Sequence, residues 1–107
     1  MTKSGTAYKF GDVILAEVPF TDSAQVKLRP AMVLFEELDN VIVAGITSNQ
    51  NMHGIPVSRQ EGMIADSVIK VNYIFTVSKQ RIRKLIVTLS DEKKETVRQE
   101  IRKRMDL

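Results

Sequence analysis

The stretch Ser67–Met105, SVIKVNYIFTVSKQRIRKLIVTLSDEKKETVRQEIRKRM, decides the fold. Its first part alternates. Ile69, Val71, Tyr73, Phe75 and Val77 fall on one face, and Lys70, Asn72 and Thr76 on the other, which is the period-two pattern of a half-buried strand. Ser78–Gln80 reads as a turn into Arg81–Leu89, a strand that is basic in its first half and apolar in its second. Then the period changes. Val97, Ile101 and Met105 recur at i, i+4 and i+8, a narrow helical stripe. Ser90 stands where a cap belongs, Asp91 and Glu92 fill the first turn, and Arg102, Lys103 and Arg104 crowd the last, each in the sense that the helix dipole favours. Strand, turn, strand and a C-terminal helix over 90–105 follow.

Upstream, the same reading gives more short strands. Asp12–Val18 is opened by Gly11 and closed by Pro19, and it is apolar on both faces, which predicts burial on two sides. Ala31–Phe35 and Val41–Ile46 are the next two, joined through Glu36–Asn40, whose Asp39-Asn40 pair suits a hairpin turn. Phe20–Leu28 is polar and mixed and reads as an exposed loop. Asn49–Gly62 is a second long loop, with Ile55–Ser58 as a small edge strand inside it. Five or six short strands and one helix in 107 residues predict a single, mainly β domain over 1–107, bent into a small barrel. Residues 1–8 read as a flexible tail. The doubly apolar first strand, in so short a chain, predicts that a second copy covers one of its faces.

Composition narrows the function. Charged residues are 27% and hydrophobic residues 43%, which excludes a disordered chain. Cysteine is absent, so disulfides, thiolate zinc sites and thiol nucleophiles are excluded. The single histidine, His53, has no cluster of carboxylates near it in sequence, so no metal is expected. G-x-S-x-G, P-loop, H-E-x-x-H and dinucleotide fingerprints are missing, and no cofactor is expected. The longest apolar runs, Ala31–Phe35 and Val41–Ile46, cannot span a bilayer, and Met1–Phe10 has no apolar signal-peptide core. A cytoplasmic protein without a membrane partner is expected.

The net charge of +3 is unevenly spread. Residues 1–77 carry 6 basic and 8 acidic side chains, and residues 78–107 carry 10 and 5. Such an asymmetry fits a polyanion surface as well as a solvated face. Lys79, Arg81, Arg83 and Lys84, with Thr76 and Gln80 beside them, form either a phosphate track or a charged edge that blocks aggregation. The aromatic residues do not interleave with this run, so the stacking pattern of an RNA-binding sheet is missing. Lys27-Leu28-Arg29-Pro30 closes the first long loop. Pro30 holds Arg29 extended, and a guanidinium projecting from a rigid point suits a phosphate, although an exposed arginine at a strand start looks the same in sequence. Thr47-Ser48-Asn49 ends the third strand with donors for phosphate oxygens, or with plain turn chemistry. His53, beside Gly54, is either a general base or surface.

Taken together, the segments Gly11-Asp12-Val13, Pro19-Phe20-Thr21-Asp22, Lys27-Leu28-Arg29-Pro30-Ala31, Ile46-Thr47-Ser48, Asp66–Lys70, Phe75-Thr76-Val77 and Lys79-Gln80-Arg81 resemble the MazF/PemK family of toxin–antitoxin toxins over residues 9–105. The resemblance implies an SH3-like barrel of the MazF/PemK/CcdB type with a C-terminal helix, assembled as a homodimer. It implies a metal-independent endoribonuclease that cuts single-stranded RNA at short sequences by attack of the 2′-hydroxyl. The family's active residues match Arg29, Thr47 and Ser48. RNA contacts would come from Thr21, Asp22, Lys27, Asn49, His53, Asn72, Thr76, Lys79, Gln80 and Arg81. The partners implied are single-stranded RNA, a cognate antitoxin with an acidic disordered segment, and operator DNA reached through the toxin–antitoxin complex. Asn72 departs from the family, which often has an aspartate there; an amide reads a base edge but cannot act as a base. That departure keeps an alternative in view, a non-catalytic toxin of the same fold that binds nucleic acid or poisons a protein target, as gyrase-directed members do.

Overall fold

The computed structural model describes residues 7–19 and 26–107. Strands β1 (Asp12–Pro19), β2 (Val26–Glu37), β3 (Asn40–Thr47), β4 (Ile55–Val57), β5 (Ser67–Ser78) and β6 (Ile82–Thr88) precede helix α1 (Asp91–Met105), with 3-10 turns at Arg59–Glu61 and Lys79–Arg81. The strands form one antiparallel sheet in the order β4-β5-β3-β2-β1-β6. The small bent barrel expected from the sequence is realised as a curled half-barrel with the helix packed on it.

The curl separates two cores. Val13, Met32, Ala44, Ile46, Ile69 and Val71 meet Leu89 and Val97 in the first; Ile14, Ala16, Ala31, Val33, Val41, Val43 and Val77 form the second. β1 is thus buried on both faces, as its pattern predicts. Within the single chain Val13, Ile14 and Ala16 are fully buried while Leu15 and Val18 stay half-buried, so the chain itself covers most of both faces that the sequence reading assigned in part to a second copy. The first core is closed by α1 and the second by the sheet's own curl, with Tyr8, Phe75 and Ile82 packed against it. Of the tail expected at 1–8, residues 1–6 lie outside the described residues. Tyr8 donates its backbone N–H to Glu36 Oε1 at 2.5 Å.

The Gly-Asp-Val start of β1 has a structural use. Gly11 has φ 96°, its N–H donates to the Val33 carbonyl at 3.1 Å, and its own carbonyl accepts from Leu89 N–H at 2.9 Å. The buried Asp12 carboxylate accepts from Lys9 N–H (3.0 Å) and from Thr88 Oγ1 (2.8 Å). These bonds fasten the ends of β1, β2 and β6 together, and they satisfy a carboxylate that would otherwise be costly to bury.

Three element boundaries differ from the sequence reading. β2 begins at Val26, so Lys27, Leu28 and Arg29 lie inside a strand, not at the end of a loop. They pair with Val18, Glu17 and Ala16 of β1, and their side chains are exposed, which is why the segment looks like a loop. The β2–β3 turn is Leu38-Asp39, since Glu37 pairs with Asn40; Leu38 takes the positive φ of 57°. The third difference is in β5. Ala44 pairs with Ile74, but Gly45 pairs with Lys70, so residues 71–73 have no partner on β3. An odd insertion reverses which face each later residue occupies. Ile69 and Val71 therefore enter the first core, Phe75 and Val77 the second, and Tyr73 between them stays 54% exposed. The single apolar face read from the alternation is in fact split at this point.

At the far end of β5, the basic turn meets acids. Lys79 Nζ lies 3.0 Å from Glu36 Oε1, and Arg81 and Arg83 both pair with Glu17. The Tyr8 N–H, then the Lys79 ammonium, hold the Glu36 carboxyl below the usual carboxylate range. In α1, the Ser90 hydroxyl accepts from Lys93 N–H at 3.1 Å, the cap its sequence predicts. Val97 is buried and Ile101 half-buried, but Met105 is exposed, because the helix runs past the edge of the first core.

A candidate nucleic-acid groove

A groove of about 700 Å³ opens across β1, β2, β3 and β5. Arg29, Thr47 and Ser48 all line it, together with Lys70, Asn72, Tyr73, Phe75, Met52, Met63, Ile64 and Ser67. Strand register explains the convergence. Ala31 pairs with Gly45, Met32 with Ala44 and Val33 with Val43. Continued two residues past the Ala31–Gly45 pair, the same register would set Arg29 opposite Thr47. The chain needs no long-range coincidence to bring guanidinium and hydroxyl together.

Local bonds shape the end of β3. Thr47 Oγ1 accepts from Asn49 N–H, and Asn49 Oδ1 accepts from Asn51 N–H, both at 3.1 Å. Turn chemistry and donor chemistry, alternatives in the sequence, coexist here: the Thr47 oxygen accepts from the backbone while its O–H remains able to donate. The segment 48–54 is tied to β5 in two ways. Lys70 Nζ donates to the His53 carbonyl at 2.6 Å, and Gly54 lies so close to β5 that a Cβ there would fall 2.6 Å from the Ile69 carbonyl oxygen.

The remaining residues singled out in the sequence are distributed as follows. Asn72 lines the groove. Asn49 shapes the Thr47 turn at its rim, and His53 contributes its carbonyl to Lys70 while its side chain is exposed. Lys27 is exposed on β2, outside the groove lining. Thr76 is exposed on β5 opposite Ile42. Lys79, Gln80 and Arg81 form the turn beyond β5, beside Glu36 and Glu17 and away from the groove lining. Thr21 and Asp22 lie outside the described residues.

Sequence reasoning passed over Lys70, Tyr73, Met52 and Met63. Lys70 and Tyr73 sit in a strand whose run of apolar odd positions, Ile69 to Val77, hides the insertion at 71–73. The one signal available was Asn72, a polar residue flanked by Val71 and Tyr73 in a segment otherwise suited to burial. Among the described residues no group of three His, Cys, Asp or Glu side chains is placed to hold a metal, and no helix is long and apolar enough to cross a membrane.

Comparison with known proteins shows what the whole chain is similar to. Residues 9–105 match the family described as the PemK-like, MazF-like toxin of type II toxin–antitoxin systems. The endoribonuclease EndoA of Bacillus subtilis (strain 168) is 34% identical over 95 residues, covering 78% of this chain and 82% of the relative. Among solved structures, the Mycobacterium tuberculosis toxin MazF-mt6 aligns with a TM-score of 0.71 at 24% identity, over 90% of this chain and 97% of that one. An endoribonuclease in complex with its cognate antitoxin, from a mycobacterial species, aligns with a TM-score of 0.73 at 9% identity, over 95% and 96%. At these identities the two structures speak for the fold.

Proposed function

The chain belongs to the PemK-like, MazF-like toxins of type II toxin–antitoxin systems, and on that premise we propose that it is a sequence-specific, metal-independent endoribonuclease acting on single-stranded RNA. The observation that carries the proposal is the convergence of Arg29, Thr47 and Ser48 on one groove. The RNA supplies its own nucleophile: the 2′-oxygen attacks the adjacent phosphorus as its proton passes to water, and the 5′-oxygen leaves with a proton taken from water, giving a 2′,3′-cyclic phosphate and a 5′-hydroxyl end. The protein must hold these atoms in line and stabilise charge on the phosphoryl oxygens. Arg29 clamps the phosphate with its planar fork, and Thr47 and Ser48 donate to the non-bridging oxygens. Among the described residues, the groove lining contains no carboxylate and no imidazole, so positioning and charge stabilisation carry the rate. The segment 48–54 selects bases, with Asn49 at its start shaping the turn after Thr47; Thr21, Asp22 and Lys27 are proposed as further RNA contacts from the resemblance alone.

The test is incubation of the purified protein with a long single-stranded RNA in EDTA. Discrete fragments ending in 2′,3′-cyclic phosphate are expected. A gel shift without cleavage would replace the proposal by the second reading, a non-catalytic toxin that binds nucleic acid. Asn72 in the groove, an amide unable to accept a proton, is the observation favouring that reading.

The proposal includes partners. The cognate antitoxin presents an acidic, disordered segment that folds onto the toxin, for which Lys79, Gln80, Arg81 and the neighbouring Arg83 and Lys84 offer a landing surface; the complex then reaches operator DNA. The site of action is the cytoplasm, where the RNA is. The toxin itself is a homodimer, supported by the half-exposed Phe35, Ile74 and Leu85, which a second copy would cover. Sedimentation at micromolar concentration is expected to show twice the 12.1 kDa chain mass; a species of chain mass alone would remove the dimer from the proposal.

A further inference from the structure

Tyr73 is the least expected residue of the groove. The three-residue insertion in β5 takes it out of both cores and leaves its side chain 54% exposed, although an aromatic strand residue normally gains from burial. Its ring is held from behind. It occupies the space above Gly45 where a side chain would stand: a Cβ at residue 45 would meet Tyr73 Cδ2 at 2.7 Å and Cε2 at 3.3 Å. The Phe75 ring braces it at a centroid distance of 5.2 Å and an angle of 46°, and Phe75 in turn packs on the second core. The ring is therefore exposed on one side and packed against Gly45 and Phe75 on the other. It shares its groove with the cations Arg29 and Lys70 and with the donors Thr47 and Ser48. An aromatic face beside cations and hydroxyls, with no carboxylate among the described lining residues, matches a nucleotide: the base has a π-face and the backbone is anionic. Because the ring is already packed on one side, little ordering entropy opposes stacking.

We propose that Tyr73 is a base-stacking platform, binding one nucleobase of the strand whose phosphate is held by Arg29, and that it sets which nucleotide positions are accepted near the cut. This deepens the nuclease reading and rests on it. A side chain of a protein partner, or a second copy of the chain, is the competing occupant.

The chain has no tryptophan and two tyrosines, so in a Tyr8→Phe background Tyr73 is the sole tyrosine emitter. The probe is a short, random-sequence 2′-O-methyl RNA, which lacks the nucleophile and reports binding alone. Tyr73 emission is expected to be quenched on binding. Tyr73→Ala is expected to weaken binding by about 5- to 150-fold, the range of a lost base stack. In cleavage of natural RNA it raises KM with little change in kcat and alters the fragment pattern, while Tyr73→Phe restores all three. Gly45→Ala, which displaces the ring, is expected to reproduce the KM increase. Should the wild-type protein cut no RNA while its Tyr73 is still quenched, the nuclease reading fails and takes with it the role near the cut, while base stacking on Tyr73 stands. Should the wild type cut RNA while Tyr73→Ala keeps the same affinity, KM and fragments, the platform is overturned and the nuclease reading stands. Emission that changes with protein concentration but not with RNA would also overturn it, making the ring a contact between copies.

Discussion

Replacing Arg29 with alanine is expected to lower RNA cleavage by about 10²–10³-fold, the usual loss when one positioned donor to a developing charge is removed. The fold should be untouched. Arg29 is exposed on β2, and its backbone pairing with Ala16 does not involve the guanidinium. Pro30 follows it in the strand and keeps the backbone extended in the variant too. Arg29→Lys should recover little, since an ammonium cannot form the two parallel bonds that hold a phosphate by its face. Thr47→Ala should be milder, because Ser48 lines the same groove and offers a second hydroxyl. Initial rates on a long RNA, with a thermal melt of each variant alongside, decide the matter. Wild-type rates from a folded Arg29→Ala protein would remove Arg29 from the site.

The second large effect is on stability. Among the described residues of α1, Val97 alone is fully buried. It lies in the first core with Met32, Ile69 and Leu89. Val97→Asp places a carboxylate there with no cation built to meet it, and the expected loss is roughly 3–5 kcal/mol, that of an uncompensated buried charge. For a domain of this size each kcal/mol moves the melting temperature by about 4–8 °C, so much of the native population should be lost on mild heating. Met105→Asp, at the exposed end of the same stripe, should cost less than about 0.5 kcal/mol, as surface changes do. Urea titration of the two variants separates them. Equal stability would mean that the helix does not hold the first core.

Much of this architecture was readable in the chain. The order of strands, the Ser90 cap and the two-sided burial of β1 all follow from local pattern, because each is decided by neighbours in sequence. The convergence of Arg29 with Thr47 and Ser48 was available only through resemblance, since register between β2 and β3 is a pairing property that no single segment records. The start of β2 was misplaced for a related reason: Val26–Arg29 is extended by its bonds to β1, not by its own composition. The insertion at 71–73 was invisible. The odd positions Ile69 to Val77 are apolar throughout, and only the partner strand shows that two half-strands of opposite facing have been joined there. Tyr73, which lies within that junction and lines the groove, was hidden with it. The basic run 79–84 was legible as charge, but its pairing with Glu17 and Glu36 depends on distant strands.

That junction also bears on how such a protein diversifies. On one side Gly45, Ile46 and Thr47 are locked to Lys70, Ile69 and Val68, and on the other Ala44 and Val43 are locked to Ile74 and Phe75. Each flank keeps its alignment without help from the residues between them. Asn72 and Tyr73 face the groove yet take no part in the ladder to β3. A substitution at Asn72 therefore changes the groove without breaking a pairing to β3, whereas one at Tyr73 also uncovers Gly45 and the Phe75 ring.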